Sequence, residues 1–299
     1  MANEQMMTQM SAKPGFIAAL DQSGGSTPGA LKLYGIPESE YKGDDAKMFE
    51  LVHEMRVRII TAPAFSGEKV IGAILFERTM DGEAKGKPVP TYLWEERGVV
   101  PIVKVDKGLA EEKDGVSLMK PIPDLDKLLG RASKLGVFGT KMRSVINLAS
   151  KTGIAAIAKQ QFEFGEQILS HGFTPILEPE VSIKSPDKAG AERILLDELT
   201  KGLDSLPAGQ KVMFKVTIPE TPDFYAPLIK DKRVVRVVAL SGGYTRDDAC
   251  RRLAKNHGMI ASFSRALAEG LKRSMSDAEF DKELSKAIGE IYEASTVKV

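Results

Sequence analysis

A (β/α)8 TIM barrel is the fold the sequence predicts, and three observations carry that expectation. Eight short apolar runs rich in β-branched residues recur along 299 residues, longer amphipathic stretches separate them, and most of the runs end on polar side chains. Strands that are apolar almost throughout imply a parallel sheet covered on its outside, which closes most simply into a barrel; a doubly wound open sheet is the structural alternative. Such barrels occupy about 250 residues or more as one unit. The chain therefore reads as a single domain over residues 1–299, with no linker, low-complexity tract or repeat. Residues 1–13, rich in Met and Gln, read as a flexible N-terminal extension.

The predicted strands are Phe16 to Leu20, Val70 to Phe76, Val99 to Asp106, Val137 to Arg143, Phe173 to Glu180, Val212 to Ile218, Val234 to Ser241 and Met259 to Ser264. Helical patterns fill the gaps at Asp45 to Ile60, Asp124 to Lys134, Ile154 to Leu169, Ala191 to Leu203 and Asp247 to Lys255, several opened by capping residues. A C-terminal helix is expected from Ser276 to Glu293, and Asp81 to Pro88 reads as a surface loop.

Composition narrows the functions. Apolar residues make up 42% of the chain and charged residues 28%, values of a globular protein with a large core. A formal charge of +1 gives no broad field for nucleic acid or an anionic membrane, so an anion site must be built locally; a homo-oligomer is left open. The single cysteine, Cys250, excludes a disulfide framework and suits a reducing cytoplasm. The N-terminus lacks the apolar core of a secretory signal, and no apolar run approaches membrane-spanning length. His53, His171 and His257 lie far apart and show no metal-ligand spacing.

In a barrel the working groups gather at the C-terminal ends of the strands. The first run ends Asp21-Gln22-Ser23-Gly24-Gly25-Ser26, which suits a phosphate cradle and, taken alone, equally a Gly-Ser turn with a capping Asp. The third ends Lys104-Val105-Asp106, with both charges on one strand face. The fourth and fifth give Lys141-Met142-Arg143 and Glu178-Pro179-Glu180. A structural ion-pair network explains one such pair; several together point to function, because burying many charges costs more than packing hydrocarbon.

Lys215 in Val212-Met213-Phe214-Lys215-Val216-Thr217 is the sharpest signal. Desolvation disfavours an ammonium and nearby Lys104 and Lys141 add to that, leaving an amine able to attack a carbonyl and form a Schiff base. The alternative is a lysine that snorkels to solvent at the strand edge. The last two runs lead into Ser241-Gly242-Gly243 and Ser262-Phe263-Ser264-Arg265, where glycine N–H groups, a helix beginning near Ser264 and Arg265 suit an anion.

Taken in order, these motifs resemble the class I fructose-bisphosphate aldolases from Phe16 to the last helix. The family's Asp-x-Ser-x-x-Ser is matched at Asp21 to Ser26, its Lys-Val-Asp-Lys-Gly at Lys104 to Gly108, its Lys-x-Arg at Lys141 to Arg143, its Glu-Pro-Glu at Glu178 to Glu180, its Schiff-base lysine at Lys215 and its Leu-Ser-Gly-Gly at Leu240 to Gly243. Animal members have a proline after that lysine and Ser-Tyr-Gly-Arg in the last loop, where this chain has Val216 and Ser262 to Arg265. It also lacks their C-terminal tyrosine, ending Val297-Lys298-Val299, so the resemblance is to a shorter, bacterial-type branch.

The resemblance implies a metal-independent, cofactor-free lyase of glycolysis and gluconeogenesis that cleaves fructose 1,6-bisphosphate to dihydroxyacetone phosphate and glyceraldehyde 3-phosphate. It further implies Lys215 as the Schiff-base amine, Glu178 as acid and base, Asp21 and Lys141 as assistants, and Glu180 as an orienting group. Ser241, Gly242 and Arg265 would hold the C1 phosphate, with Gly243 and Ser264 also among the phosphate-binding residues. Ser23, Ser26 and Lys104 would hold the C6 phosphate, with Arg143 behind them. The rival expectations are another Schiff-base sugar-phosphate aldolase and a non-catalytic barrel that binds sugar phosphates.

Overall fold

The computed structural model describes residues 2–299. Its barrel strands are β1 (Phe16–Leu20), β2 (Val70–Leu75), β3 (Val100–Lys104), β4 (Gly139–Ile146), β5 (Thr174–Val181), β6 (Val212–Thr217), β7 (Val234–Leu240) and β8 (Ile260–Ala261). Each pairs in parallel with the next in chain order. The circle is completed where the Ala19 N–H donates to the Phe263 carbonyl at 3.1 Å. This is the TIM barrel, and the open-sheet alternative falls. The major helices outside it include α3 (Asp45–Thr61), α4 (Lys151–Ser170), α5 (Lys188–Ser205) and the C-terminal α6 (Asp277–Thr296), whose N-terminal Ser276 and Glu279 form a capping box.

Alternation along each strand sorts side chains into two apolar layers. Ala18, Leu20, Val103, Leu177, Phe214 and Val216 belong to the outer layer beneath the helices. Ile17, Ala19, Ile102, Ile176 and Met213 belong to a separate cluster in the lumen. Two residues beyond these lumen positions stand Asp21 after Ala19, Lys104 after Ile102, Glu178 after Ile176 and Lys215 after Met213. The period that packs the lumen thus delivers four charged groups to its C-terminal mouth.

Three sequence expectations are corrected. Residues 1–13, expected to be a flexible extension, contain helix α1 (Ala2–Ala12), which docks on the lumen cluster. Met6 and Met10, one turn apart, are buried against it, Gln9 Nε2 donates to the Ile71 and Gly98 carbonyls at 2.8 Å each, and Arg236 donates from Nε to Met10 O and from Nη2 to Lys13 O. Gly72 makes room: a Cβ there would lie 3.3 Å from both Met10 Sδ and the Val100 carbonyl. The segment lacks a strong apolar stripe, so its order comes from the barrel floor it covers. Within the expected surface loop Asp81 to Pro88, the pairs Glu83–Ala84 and Lys87–Pro88 form a hairpin. Strand β8 is two residues long rather than six; beyond it Ser262 and Phe263 continue the ladder only through single bonds to Ala239 and Ala19. Among the described residues no helix is long and apolar enough to cross a membrane.

Met10→Ala is expected to lower unfolding stability by about 2–4 kcal/mol, the cost of truncating a buried methionine. A urea midpoint unchanged from the parent would show that α1 does not seal the barrel.

Candidate active site

The mouth holds a chain of alternating charges. Lys215 Nζ on β6 stands 3.1 Å from Glu178 Oε1 on β5. The other oxygen of Glu178 is 2.9 Å from Lys141 Nζ on β4, and that ammonium is 2.6 Å from Asp21 Oδ2, just past β1. All four side chains are buried, Lys141 at 2% exposure and Asp21 at 8%. The alternative of a lysine snorkelling to solvent is therefore excluded for Lys215, which is 4% exposed.

Burial by itself would raise the Asp21 carboxyl, but the ammonium groups of Lys141, Lys215 and Lys104 outweigh it and hold the group well below the usual aspartate range. Burial would likewise lower Lys141, and the carboxylates of Asp21, Glu178 and Asp106 overcome it and push this lysine well above its ordinary value. Asp21 and Lys141 are therefore an ionised pair at neutral pH.

Beside this chain, Lys104 Nζ reaches Asp106 Oδ1 at 2.6 Å. Asp106 also accepts from the Gly108 N–H and the Arg143 N–H, each at 3.1 Å, so it ties β3 to β4. Its part was legible in the Lys104-Val105-Asp106 alternation, although the resemblance gave it no role. Arg143 and Glu180 form their own pair at 2.6 Å, with Arg143 half-exposed. Burial opposes the charge on Arg143, and Glu180, then Glu178 and Asp106, raise it.

The two expected phosphate loops flank the cluster. Ser26 donates to the Ser23 carbonyl at 3.0 Å and accepts from the Ser23 N–H at 3.1 Å, closing a turn at the start of helix α2 (Thr27–Tyr34). On the other side Ser241 is buried, and Gly242 and Gly243 have φ of 60° and 116°, conformations that only glycine adopts without strain. The Arg265 guanidinium lies 3.4 Å from the place a Cβ on Gly243 would take, so this exposed arginine stands beside the glycine backbone. The helix after Ser264 is a single turn, Arg265–Ala268, too short to supply the dipole expected of it. Ser264 accepts instead from Gln22 Nε2 at 2.6 Å. Gln22 and the buried Arg56 behind it were missed from the sequence, though an arginine on the apolar face of α3 was a visible signal. Among the described residues no group of three or more His, Cys, Asp or Glu side chains could hold a metal ion.

A TIM barrel whose mouth buries a lysine against a carboxylate, between two anion-ready loops, has the architecture of a carbonyl-attacking sugar-phosphate lyase. Residues 12–190 match the sequence model of the glycolytic family described as fructose-bisphosphate aldolase class-I. The chain is 56% identical over 293 residues to the fructose-bisphosphate aldolase class 1 of Synechocystis, covering 98% of this chain and 97% of that protein. It is 54% identical to the enzyme of the same name from Porphyromonas gingivalis, covering 98% and 99%. The chain belongs to the class I fructose-bisphosphate aldolase family. The barrel superposes with a TM-score of 0.78 on Plasmodium falciparum fructose-bisphosphate aldolase, at 20% identity and covering 100% of this chain and 96% of that one, a likeness of fold.

Because the folded Asp21 carboxyl lies below its unfolded value, its contribution to stability is fully present above the unfolded aspartate range near pH 4 and is lost as pH falls through it toward the folded value. Asp21→Asn is expected to destabilise by about 3–5 kcal/mol at neutral pH, since Lys141 loses a buried partner. That gap should shrink as urea midpoints are followed from about pH 5 to about pH 2; a gap independent of pH would contradict the ionised pair.

Proposed function

We propose that Lys215 is the amine through which this class I fructose-bisphosphate aldolase forms its Schiff base. The chain is a carbon–carbon lyase that cleaves fructose 1,6-bisphosphate reversibly to dihydroxyacetone phosphate and glyceraldehyde 3-phosphate, and enzymes of this class work without a metal. The observation that carries the assignment is the 3.1 Å approach of Lys215 Nζ to Glu178 Oε1 in a site closed to bulk solvent. A carboxylate at that distance can take the proton the amine must lose and return it where it is needed.

In this reading the Lys215 nitrogen attacks the C2 ketone, forming a C–N bond and a carbinolamine. Glu178 gives its proton to the C2 oxygen, water leaves, and an iminium remains. The C3–C4 electrons then move into the iminium as the C4 hydroxyl loses its proton to a carboxylate of the Asp21, Lys141 and Glu178 cluster, and glyceraldehyde 3-phosphate departs. The enamine regains a proton at C3, water adds at C2, and dihydroxyacetone phosphate is released. Glu180, held on Arg143, orients the rim of the site.

Two anion sites suit a bisphosphate. Ser241, Gly242, Gly243, Ser264 and Arg265 would take the C1 phosphate, and Ser23, Ser26 and Lys104 the C6 phosphate, with Arg143 behind. Anchoring both ends holds C2 at the lysine, the kind of positioning that converts binding into rate. A cytoplasmic setting suits the lone thiol of Cys250.

Borohydride reduction of the protein mixed with dihydroxyacetone phosphate should leave one covalent adduct, mapped to Lys215 by peptide mass; an active enzyme without it would overturn the assignment. Lys215→Met should abolish cleavage with an unchanged circular dichroism spectrum. Glu178→Gln should lower kcat by about a hundredfold to a thousandfold, the scale of a lost general acid–base group. Activity should survive EDTA; its loss, restored by a divalent metal, would point to a different chemistry.

A further inference from the structure

Helix α3 carries an arginine where its amphipathic pattern calls for hydrocarbon. Arg56 sits on the face formed by Leu51, Val52, Met55, Ile59 and Ile60 and is 1% exposed. Among the described residues no carboxylate lies within ion-pair distance of it, although a buried unpaired charge is costly. Its partners are neutral oxygens: Nη1 donates to Thr79 Oγ1 at 2.8 Å, and Nη2 donates to the Gln22 carbonyl and lies 3.3 Å from Gln22 Oε1. Burial draws the group down to about 10, with Asp21 acting the other way, so it is charged at neutral pH.

Gln22 stands between Asp21 and Ser23, and its amide nitrogen donates to Ser264 at 2.6 Å. One side chain, clamped from behind by Arg56, therefore joins the loop after β1 to the loop after β8. These are the loops assigned above to the C6 and C1 phosphates. The planar fork of an arginine serves Thr79 from one nitrogen and Gln22 from another in a fixed geometry, a spread that the single nitrogen of a lysine does not reproduce.

We propose that Arg56 is a positioning residue that sets the separation of the two phosphate anchors through Gln22 and Ser264, and so tunes the enzyme to a substrate phosphorylated at both ends. The inference rests on the anchor assignment made above. A residue that fixes the distance between two anchors matters when both are occupied and is silent when only one is. Fructose 1,6-bisphosphate occupies both; dihydroxyacetone phosphate occupies the C1 anchor alone.

The test compares Arg56→Lys and Gln22→Met with the parent on two readouts, KM for fructose 1,6-bisphosphate and the dihydroxyacetone phosphate concentration that half-saturates borohydride trapping on Lys215. KM is expected to rise about tenfold in each variant, the scale of one lost charge-assisted hydrogen bond. Half-saturation of trapping and kcat are expected to stay within about twofold of the parent. The double variant should lose no more than either single one, because both break the same linkage. Equal losses on both ligands, additive losses in the double variant, or an unchanged KM would overturn the proposal. Gln22 is a half-buried loop residue, so its variant decides the matter alone if Arg56→Lys does not fold. A parent that traps no adduct would instead sink the Schiff-base assignment and leave the KM comparison to judge Arg56.

Discussion

Two ammonium groups and two carboxylates held in a hydrocarbon-walled lumen cost several kcal/mol per ion unless each is matched by an opposite charge, and here the matching is a single chain, Lys215 to Glu178 to Lys141 to Asp21. Each link crosses from one strand to another, from β6 to β5 to β4 and on to the end of β1. The chain exists only if those strands are closed into one ring at the right stagger. Glu178 sits at its centre, with one oxygen for each lysine, so it neutralises the pair while standing 3.1 Å from Lys215 Nζ.

The rest of the molecule serves that constraint from three sides. Below, the lumen cluster and helix α1 fill the barrel, keeping water from reaching the charges from the floor. Outside, the second apolar layer holds the strands at fixed spacing against the helices. Around the mouth, Asp106 and the Arg143–Glu180 pair tie neighbouring strand ends together, and the Gln22–Ser264 bond spans the seam where the last strand meets the first. That seam is also where the ladder is thinnest, with β8 only two residues long, so side-chain bonds do there what backbone pairing does elsewhere.

Much of this was legible in the amino-acid order. Period-two alternation around Ile102-Val103-Lys104-Val105-Asp106 or Met213-Phe214-Lys215 placed the charges at strand ends and on one face, because a pleated strand leaves no other geometry. The apolar runs bounded the strands to within a few residues, and Gly242-Gly243 marked a backbone that a Cβ would obstruct. These charged side chains came through because local rules governed where they point. Asp21 was ambiguous between a turn cap and a member of the charged cluster until Lys141 was found beside it.

By itself, then, the sequence determined the barrel class, the face each charged side chain occupies and the family these motifs belong to, since all three follow from local periodicity and motif order. Tertiary structure alone decided which charges pair, that α1 is a plug rather than a loose extension, that the turn after Ser264 is too short to act as a dipole, and that Arg56 reaches the mouth from helix α3. Those features depend on contacts between residues as far apart as Arg56 and Gln22, Gln22 and Ser264, or Met10 and Arg236. Such contacts carry no signature in the local pattern, because it is ring closure, not any single segment, that brings their partners within hydrogen-bond distance.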